Sequence, residues 1–417
     1  MDKHLQKQPT MTSQPSNSIA LERITIIDAL RGFALAGIVI CHVVENYIAA
    51  APPTAFNEAV HQGVMDSVVD SFIGILLRGK FIALFSFLFG LSFFIQMDNA
   101  EQRGSYFGGR FIWRLLILFG IGFLHSLFYR GDILTVYAVL GLFLIPFYKV
   151  DTKWVLGLAL ILFMGFARFA IFAGTGGESI FTDVGFDPED PKILTYYETL
   201  KHGTLFDVFA TNATEGNIGK AEYQLGVFGR GYFTYAFFLV GLVVGRSGFF
   251  KRFKEERKLT KKVLVYALIA FAVSFAIMAG GFASMGTDFN MQSWNAMIGF
   301  AGMDMVNASM TIIYIVLFTM WYRSLKGEKI LRRFAPYGRM ALTNYVFQSI
   351  VFTFMLFGWG LGLIGELRQV YTFLIALLFI AIQMALSTWW LKNFKYGPLE
   401  WLWRSLTFFK VFPFRKP

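Results

Sequence analysis

Ten stretches of this chain stay predominantly apolar over roughly twenty residues. They run at 26–49, 80–97, 110–129, 132–149, 154–173, 229–250, 262–283, 301–322, 341–364 and 369–391. A helix rises about 1.5 Å per residue, so each stretch is long enough to cross a hydrocarbon layer about 30 Å thick. In that layer every backbone N–H and C=O needs a partner within its own segment, which selects helix over open strand. The expected fold class is all-α: a polytopic integral membrane protein with about ten transmembrane helices. Composition points the same way. Only 16% of the 417 residues are charged and 49 are Phe, whereas a soluble domain is about a quarter charged. A water-soluble core of this length could not hide so much apolar surface.

The links between the stretches assign sides. Those at 98–110, 149–153, 246–262 and 323–339 are rich in Lys and Arg, and the C-terminal segment is basic again. The alternate links behave differently: 50–67 and 284–300 hold neither Lys nor Arg, and 174–228 carries many acids. Strict alternation is what an even number of spans with both termini cytoplasmic produces. The net charge of +11 is then loop charge on one side of a bilayer, and nucleic acid is not expected as a partner. Residues 1–22 read as a disordered cytoplasmic tail without the apolar run of a signal peptide. The transmembrane domain covers 23–395, with one large outer loop at 174–228. Segment 60–79 reads as an amphipathic helix leading into the second span. Segment 396–417, with Trp401 and Trp403, reads as a cytoplasmic interfacial helix and tail. The one cysteine, Cys41, leaves no intramolecular disulfide to form.

Ionisable residues in hydrocarbon are costly, and they mark candidate functional positions. The first span is the richest, with Asp28, Arg31, His42 and Glu45. At about 100° per residue, His42 lies about 20° from Arg31 after three turns, and Asp28 and Glu45 fall within about 60° of it. All four share one stripe, with His42 about 16 Å above Arg31. Asp28 is equally well read as a helix-end residue paired with Arg31. The third span ends at His125, before a tight turn holding Arg130 and Asp132, whose bland reading is a surface turn with a helix cap. Asn344 and Gln348 lie one turn apart on the ninth span, where interhelical hydrogen bonding is as good a reading as ligand contact. Gln383 has the same reading, Arg168 reads as snorkelling, and Lys80 stands where the second span begins. No phosphate-binding glycine loop ending in Lys-Ser or Lys-Thr, no metal-ligand cluster and no arginine ladder is present in the sequence, so an ATP motor, a metal centre and a voltage sensor are not expected.

Several runs carry a family resemblance. Ile27-Asp28-Ala29-Leu30-Arg31-Gly32-Phe33 resembles the start of the YeiB-like family of bacterial membrane proteins. So do Lys80-Phe81 with Leu84-Phe85-Ser86-Phe87-Leu88-Phe89-Gly90, and Gly131-Asp132-Ile133-Leu134. Gly338-Arg339-Met340-Ala341-Leu342-Thr343-Asn344-Tyr345 and Gly397-Pro398-Leu399-Glu400-Trp401 add to it. The resemblance implies a place in the transmembrane acyltransferase superfamily, beside acyltransferase-3 proteins and heparan-alpha-glucosaminide N-acetyltransferase. Those relatives move an acyl group from cytoplasmic acyl-CoA to an acceptor, often a sugar, on the far side. Acyltransferase-3 proteins carry an Arg and a His separated by ten residues on their first helix, and Arg31 and His42 reproduce that spacing. Many YeiB-like proteins carry Asn where this chain has His42.

The expected function is therefore acyl transfer from acyl-CoA, without a metal, to the hydroxyl or amine of an extracytoplasmic glycan or lipid. The expected location is the bacterial cytoplasmic (inner) membrane, crossed many times. His42 is assigned as base or acyl carrier and His125 as the reserve base. Asp28 would orient Arg31, and Glu45 would bond the His42 ring. Arg31, Arg110 and Arg114 would meet the donor's phosphates, with Arg339 and Lys80 as further binding positions. Arg130 and Asp132 would line the acceptor's entry, and Asn344 and Gln348 would polarise the carbonyl. The alternative is a transporter of a small solute or lipid-linked glycan, with the same stripe as a proton path. The two matching broken helices common in transporters are not apparent in the sequence.

Overall fold

The computed structural model describes residues 16–104, 107–182, 187–287 and 290–416; for 16–24 it describes the backbone alone. Most of the expected tail, 1–22, lies outside these residues. Its last part does not: the first helix already begins at Ser16.

Every extended element among the described residues is a helix. The apolar stretches become α1 (Ser16–Val44), α2 (Lys80–Glu101), α3 (Gly108–Phe128), α4 (Leu134–Leu144), α5 (Thr152–Phe163), α6 (Phe166–Thr175), α7 (Gly231–Ser247), α8 (Arg257–Ala283), α9 (Trp294–Tyr322), α10 (Ala341–Leu356) and α11 (Gln369–Asn393). Among the described residues six helical segments are long and apolar enough to cross a membrane: Thr25–Val44 of α1, Val64–Glu101, α3, α8, α9 and α11. The pair α5 and α6, bent by 53° where Gly165 takes a φ of 80°, makes a seventh if counted as one span. The chain is thus a multi-pass membrane protein. The other three apolar stretches form shorter helices than their hydropathy suggests, each for a local reason. Beyond α4, Pro146 has no N–H for an α-helical bond, and a 3₁₀ turn follows. Helix α7 stops at a left-handed Gly248. The chain leaves α10 at Phe357, and Gly358 donates its N–H to Leu200 of the outer segment.

Helix α1 forms the centre. Its apolar window is 83% buried, against 11% for α8 and 28% for α11. Helices α2, α9, α10 and α11 and the short helix Ala335–Arg339 surround α1. Gly32 and Gly338 allow the closest approach: a Cβ on Gly338 would overlap the Asp28 carbonyl oxygen. The exposed faces of α8 (Val265, Leu268, Ile269, Val273) and α11 (Leu374, Leu378, Ile382) are apolar, as a lipid-facing surface requires.

The segment read as an interfacial helix forms helix Pro398–Phe408, and it acts as a lock. Glu400 accepts from the N–H groups of Leu342 at 2.8 Å and Thr343 at 3.0 Å, and from the Thr343 hydroxyl at 2.6 Å. It therefore caps α10, whose own preceding residues supply no side-chain cap. Glu400→Ala should lower stability by about 1–2 kcal/mol, the upper range for a lost helix cap. Thermal unfolding in detergent would register this as a lower midpoint, and Glu400→Gln, which keeps one acceptor oxygen, should lose less.

The described part of segment 174–228 includes helices Pro191–His202, Leu205–Thr211 and Asn217–Leu225. These lie over the end of the bundle reached by His42. The Tyr196 hydroxyl donates to the Ile48 carbonyl at 3.2 Å, and Asn212 donates to the Leu127 carbonyl at 2.9 Å. Asn212 of the Asn-Ala-Thr sequence is buried and structural.

Candidate active site

Where α3 ends and the chain turns back into α4, His125 and Asp132 form a fully buried pair. His125 Nδ1 lies 2.7 Å from Asp132 Oδ1, and both side chains are wholly shielded from solvent. The same carboxylate caps α4, accepting from Leu134 N at 3.1 Å and from the N–H and hydroxyl of Thr135, each at 2.8 Å. Lys220 of the outer segment reaches to 4.0 Å. Burial alone would favour the neutral Asp132 carboxyl. The hydrogen bond from His125 and those from Leu134 and Thr135, with Lys220 nearby, favour the ionised carboxylate instead. An ionised carboxylate only accepts, so the proton between the two sits on His125 Nδ1. His125 Nε2, which has no partner, then carries the lone pair. An acid that fixes one ring nitrogen and frees the other makes the histidine a base.

His42 stands across two tyrosines from this pair. Its ring centroid is 5.0 Å from Tyr129 and 6.3 Å from Tyr345, while His125 is 4.9 Å from Tyr345 and 6.3 Å from Tyr129. The two imidazoles thus flank one tyrosine pair. Tyr47 closes the group, 4.7 Å from Tyr129 and 5.5 Å from His42. Tyr47 follows α1 in a strained turn: Asn46, Tyr47 and Ala49 have φ of 50°, 56° and 52°. Left-handed backbone costs about 1–2 kcal/mol per non-glycine residue, and such strain clusters at functional sites. The turn carries Tyr47 inward, where its hydroxyl faces Ser349 and Gln348.

Around these rings several polar atoms make no close hydrogen bond, although the Tyr345 hydroxyl accepts from Ile133 N at 3.3 Å. His42 Nδ1, the Tyr47 hydroxyl, His125 Nε2 and both amide atoms of Gln348 are buried without a hydrogen bond. Native interiors satisfy over 90% of buried polar groups. The Tyr47 hydroxyl and the Gln348 amide face each other, which leaves the two imidazole nitrogens as the buried atoms open to a polar ligand or water.

The other expected positions divide. Asp28 does hold Arg31, at 2.7 Å, and Arg31 also reaches Ser92 at 3.3 Å. The charge of Arg339 acts on Asp28 from the short helix at Gly338. Glu45 does not bond His42. One helix turn carries it to Arg78, which donates at 2.7 Å. Arg114 is not free for a donor's phosphates, because the C-terminal helix covers it, with the Trp403 ring centroid 3.5 Å away; Arg110 stays exposed, 5.2 Å from the ring centroid of Phe408. Arg130 stacks on Tyr196 at 4.2 Å, at the roof of the histidine pair. Asn344 is spent on helix packing, donating to Ser387 and to the Tyr337 carbonyl, while Gln383 bridges Tyr337 and Asn344. Gln348, one turn along, turns its amide toward Tyr47 at the site. Arg168 does not snorkel. It is 1% exposed and paired with Asp304. Asp304, an acid inside the apolar stretch 301–322, is the signal in the sequence that points to this pair. Between Arg31 and His42 the interior is packed: Leu35 and Val39 are buried, and the Phe81 ring fills the space beside Gly37.

Comparison with known proteins bears on this architecture. Residues 244–410 match a family model described as "Protein of unknown function (DUF418)". The chain is 28% identical to the uncharacterized protein YxaH of Bacillus subtilis, over 98% of each chain. It is 28% identical to an uncharacterized 39.9 kDa protein in the amylase 3' region of Bacillus acidopullulyticus, over 94% of this chain and 96% of that one. It is 26% identical to the uncharacterized protein YeiB of Escherichia coli, over 93% of this chain and 97% of YeiB. With the motifs above, these similarities along nearly the whole chain make it similar to YeiB-like proteins, a group of unknown function.

Proposed function

We propose that the protein is a transmembrane acyltransferase of the bacterial cytoplasmic membrane. It crosses ten times with both termini cytoplasmic, the three shorter apolar helices completing the count. Acyl-CoA is the donor, and the acceptor is the hydroxyl or amine of a glycan or lipid on the outer side. The observation that carries this reading is His125 Nε2, unpartnered and buried, on a ring fixed by Asp132. Alternating basic links support the sidedness, and the bacterial relatives support the location.

The chemistry follows from the site. Nε2 takes the proton of the acceptor's O–H or N–H. The acceptor atom attacks the thioester carbonyl, the C–S bond breaks, and CoA leaves as the thiolate, which then takes a proton. Gln348 is placed to donate to the carbonyl oxygen as charge builds there. His42 helps stabilise that charge. The Asp28–Arg31 pair marks the cytoplasmic entrance, about 16 Å below His42, a distance a pantetheine arm can span. Passage requires the Phe81 ring to leave its seat beside Gly37.

Release of CoA tests the reading. The one cysteine, Cys41, is buried, so a thiol reagent applied to native protein in liposomes reports the CoA thiol. Acetyl-CoA should release CoA at a rate that rises when a sugar acceptor is enclosed on the outer-face side. Uptake of solute without acyl donor, and no CoA release, would instead support a transporter.

A further inference from the structure

A second group of charges, buried at Lys80, Arg168 and Asp304 and open to solvent at Arg78 and Asp70, lies where α2 begins. Lys80 is 4% exposed, yet its ammonium makes a single hydrogen bond, to the Gly74 carbonyl at 3.0 Å. The arginines whose charges act on it, Arg230 and Arg78, are cations too. The carboxylates nearby are committed elsewhere. Glu45 and Asp70 pair with Arg78 at 2.7 and 3.6 Å. Asp304 serves Arg168 at 2.6 Å and Arg230 at 3.6 Å. Four cations (Arg78, Lys80, Arg168, Arg230) thus face three carboxylates (Glu45, Asp70, Asp304), and Lys80 is the cation left over. An unpaired buried charge costs several kcal/mol, so a missing counter-charge is the simplest account of its retention.

The surroundings suit an oxyanion. No side chain caps α2, a helix of 22 residues whose first-turn N–H groups and dipole favour negative charge. Gly79 precedes it in left-handed backbone. A Cβ there would stand 3.1 Å from Arg230 Nη2 and 3.4 Å from the Asn307 amide nitrogen. The guanidinium and the amide therefore stand against the backbone at the start of α2, so close that a side chain at 79 would crowd them. The Arg230 side chain is 19% exposed, which gives the cluster an opening.

We propose that this cluster binds a singly charged phosphate group. The single excess cation matches a monoanion, and the forked guanidinium beside amide and backbone donors matches tetrahedral oxygens better than a spherical ion. A soluble phosphate and the phosphodiester of an anionic lipid offer the same chemistry. The site stands on charge and geometry at α2 and does not depend on the acyl-transfer reading.

The test uses the full chain in nanodiscs of phosphatidylcholine alone, with thermal unfolding as readout. One arm titrates inorganic phosphate; the other adds phosphatidylglycerol to the disc. A saturable rise in the midpoint is expected in at least one arm, identifying a soluble or a lipid source respectively. In Lys80→Met the response should need at least about tenfold more probe, from the loss of one charge-assisted bond. No response to either probe overturns the proposal, as does an equal response in Lys80→Met. Should that variant fail to fold, Arg230→Gln replaces it, and the wild-type titrations decide by themselves.

Discussion

Replacing His125 by alanine is expected to slow CoA release by about 10²–10⁴-fold, the usual contribution of a positioned base, with the protein still folded. The structure explains why the fold should survive. Asp132 loses one of its partners but keeps the Leu134 and Thr135 N–H groups, the Thr135 hydroxyl and Lys220, so its charge stays compensated. Asp132→Asn should be nearly as damaging to rate, because an amide donating to Nδ1 would move the ring proton to Nε2, the wrong tautomer for a base. His42→Ala should cost less, since no acid fixes its ring and Glu45 serves Arg78 instead. The measurement is the initial rate of CoA release for the three variants in liposomes, alongside their melting midpoints. Full activity in His125→Ala with none in His42→Ala would reverse the assignment of the base.

The largest effect on stability should come from Asp304. It takes Arg168 Nη2 and the Tyr232 hydroxyl, each at 2.6 Å, and its side chain is fully buried. Asp304→Ala leaves a 1%-exposed guanidinium without its counter-charge, with the Val227 carbonyl and the Tyr232 hydroxyl as its remaining acceptors. Breaking a buried pair on one side costs about 3–5 kcal/mol, a large part of a typical folding free energy. Removing both partners, as Arg168→Met with Asp304→Leu, should recover most of that loss, because a buried ion pair adds little over apolar residues of similar volume. Unfolding in graded denaturant gives both numbers. A double variant no more stable than Asp304→Ala would mean that Arg230 and Tyr232, not Arg168, depend on this carboxylate.

The sequence alone determined which segments are helical and that the chain is a membrane protein, because both follow from local properties. Apolar run length sets what can cross a bilayer, and a backbone in hydrocarbon has few options. It also set out the stripe from Asp28 to Glu45, since positions on one helix follow from a fixed turn angle, and the Asp28–Arg31 contact needed nothing more. Helix ends were less legible: α10 stops at Leu356 because Gly358 is claimed by Leu200, from a segment over 150 residues away. Partners across helices could only come from the tertiary structure. Glu45 lies one turn from His42 in sequence but bonds Arg78, and Arg114 is covered by a tryptophan 289 residues further on. The same folding joined Arg168 to Asp304 and set two histidines, 83 positions apart by their numbers 42 and 125, around one tyrosine pair. A long side chain bonds whichever complementary group packing brings within about 3 Å, and that choice is made by how the helices pack, which hydropathy does not encode.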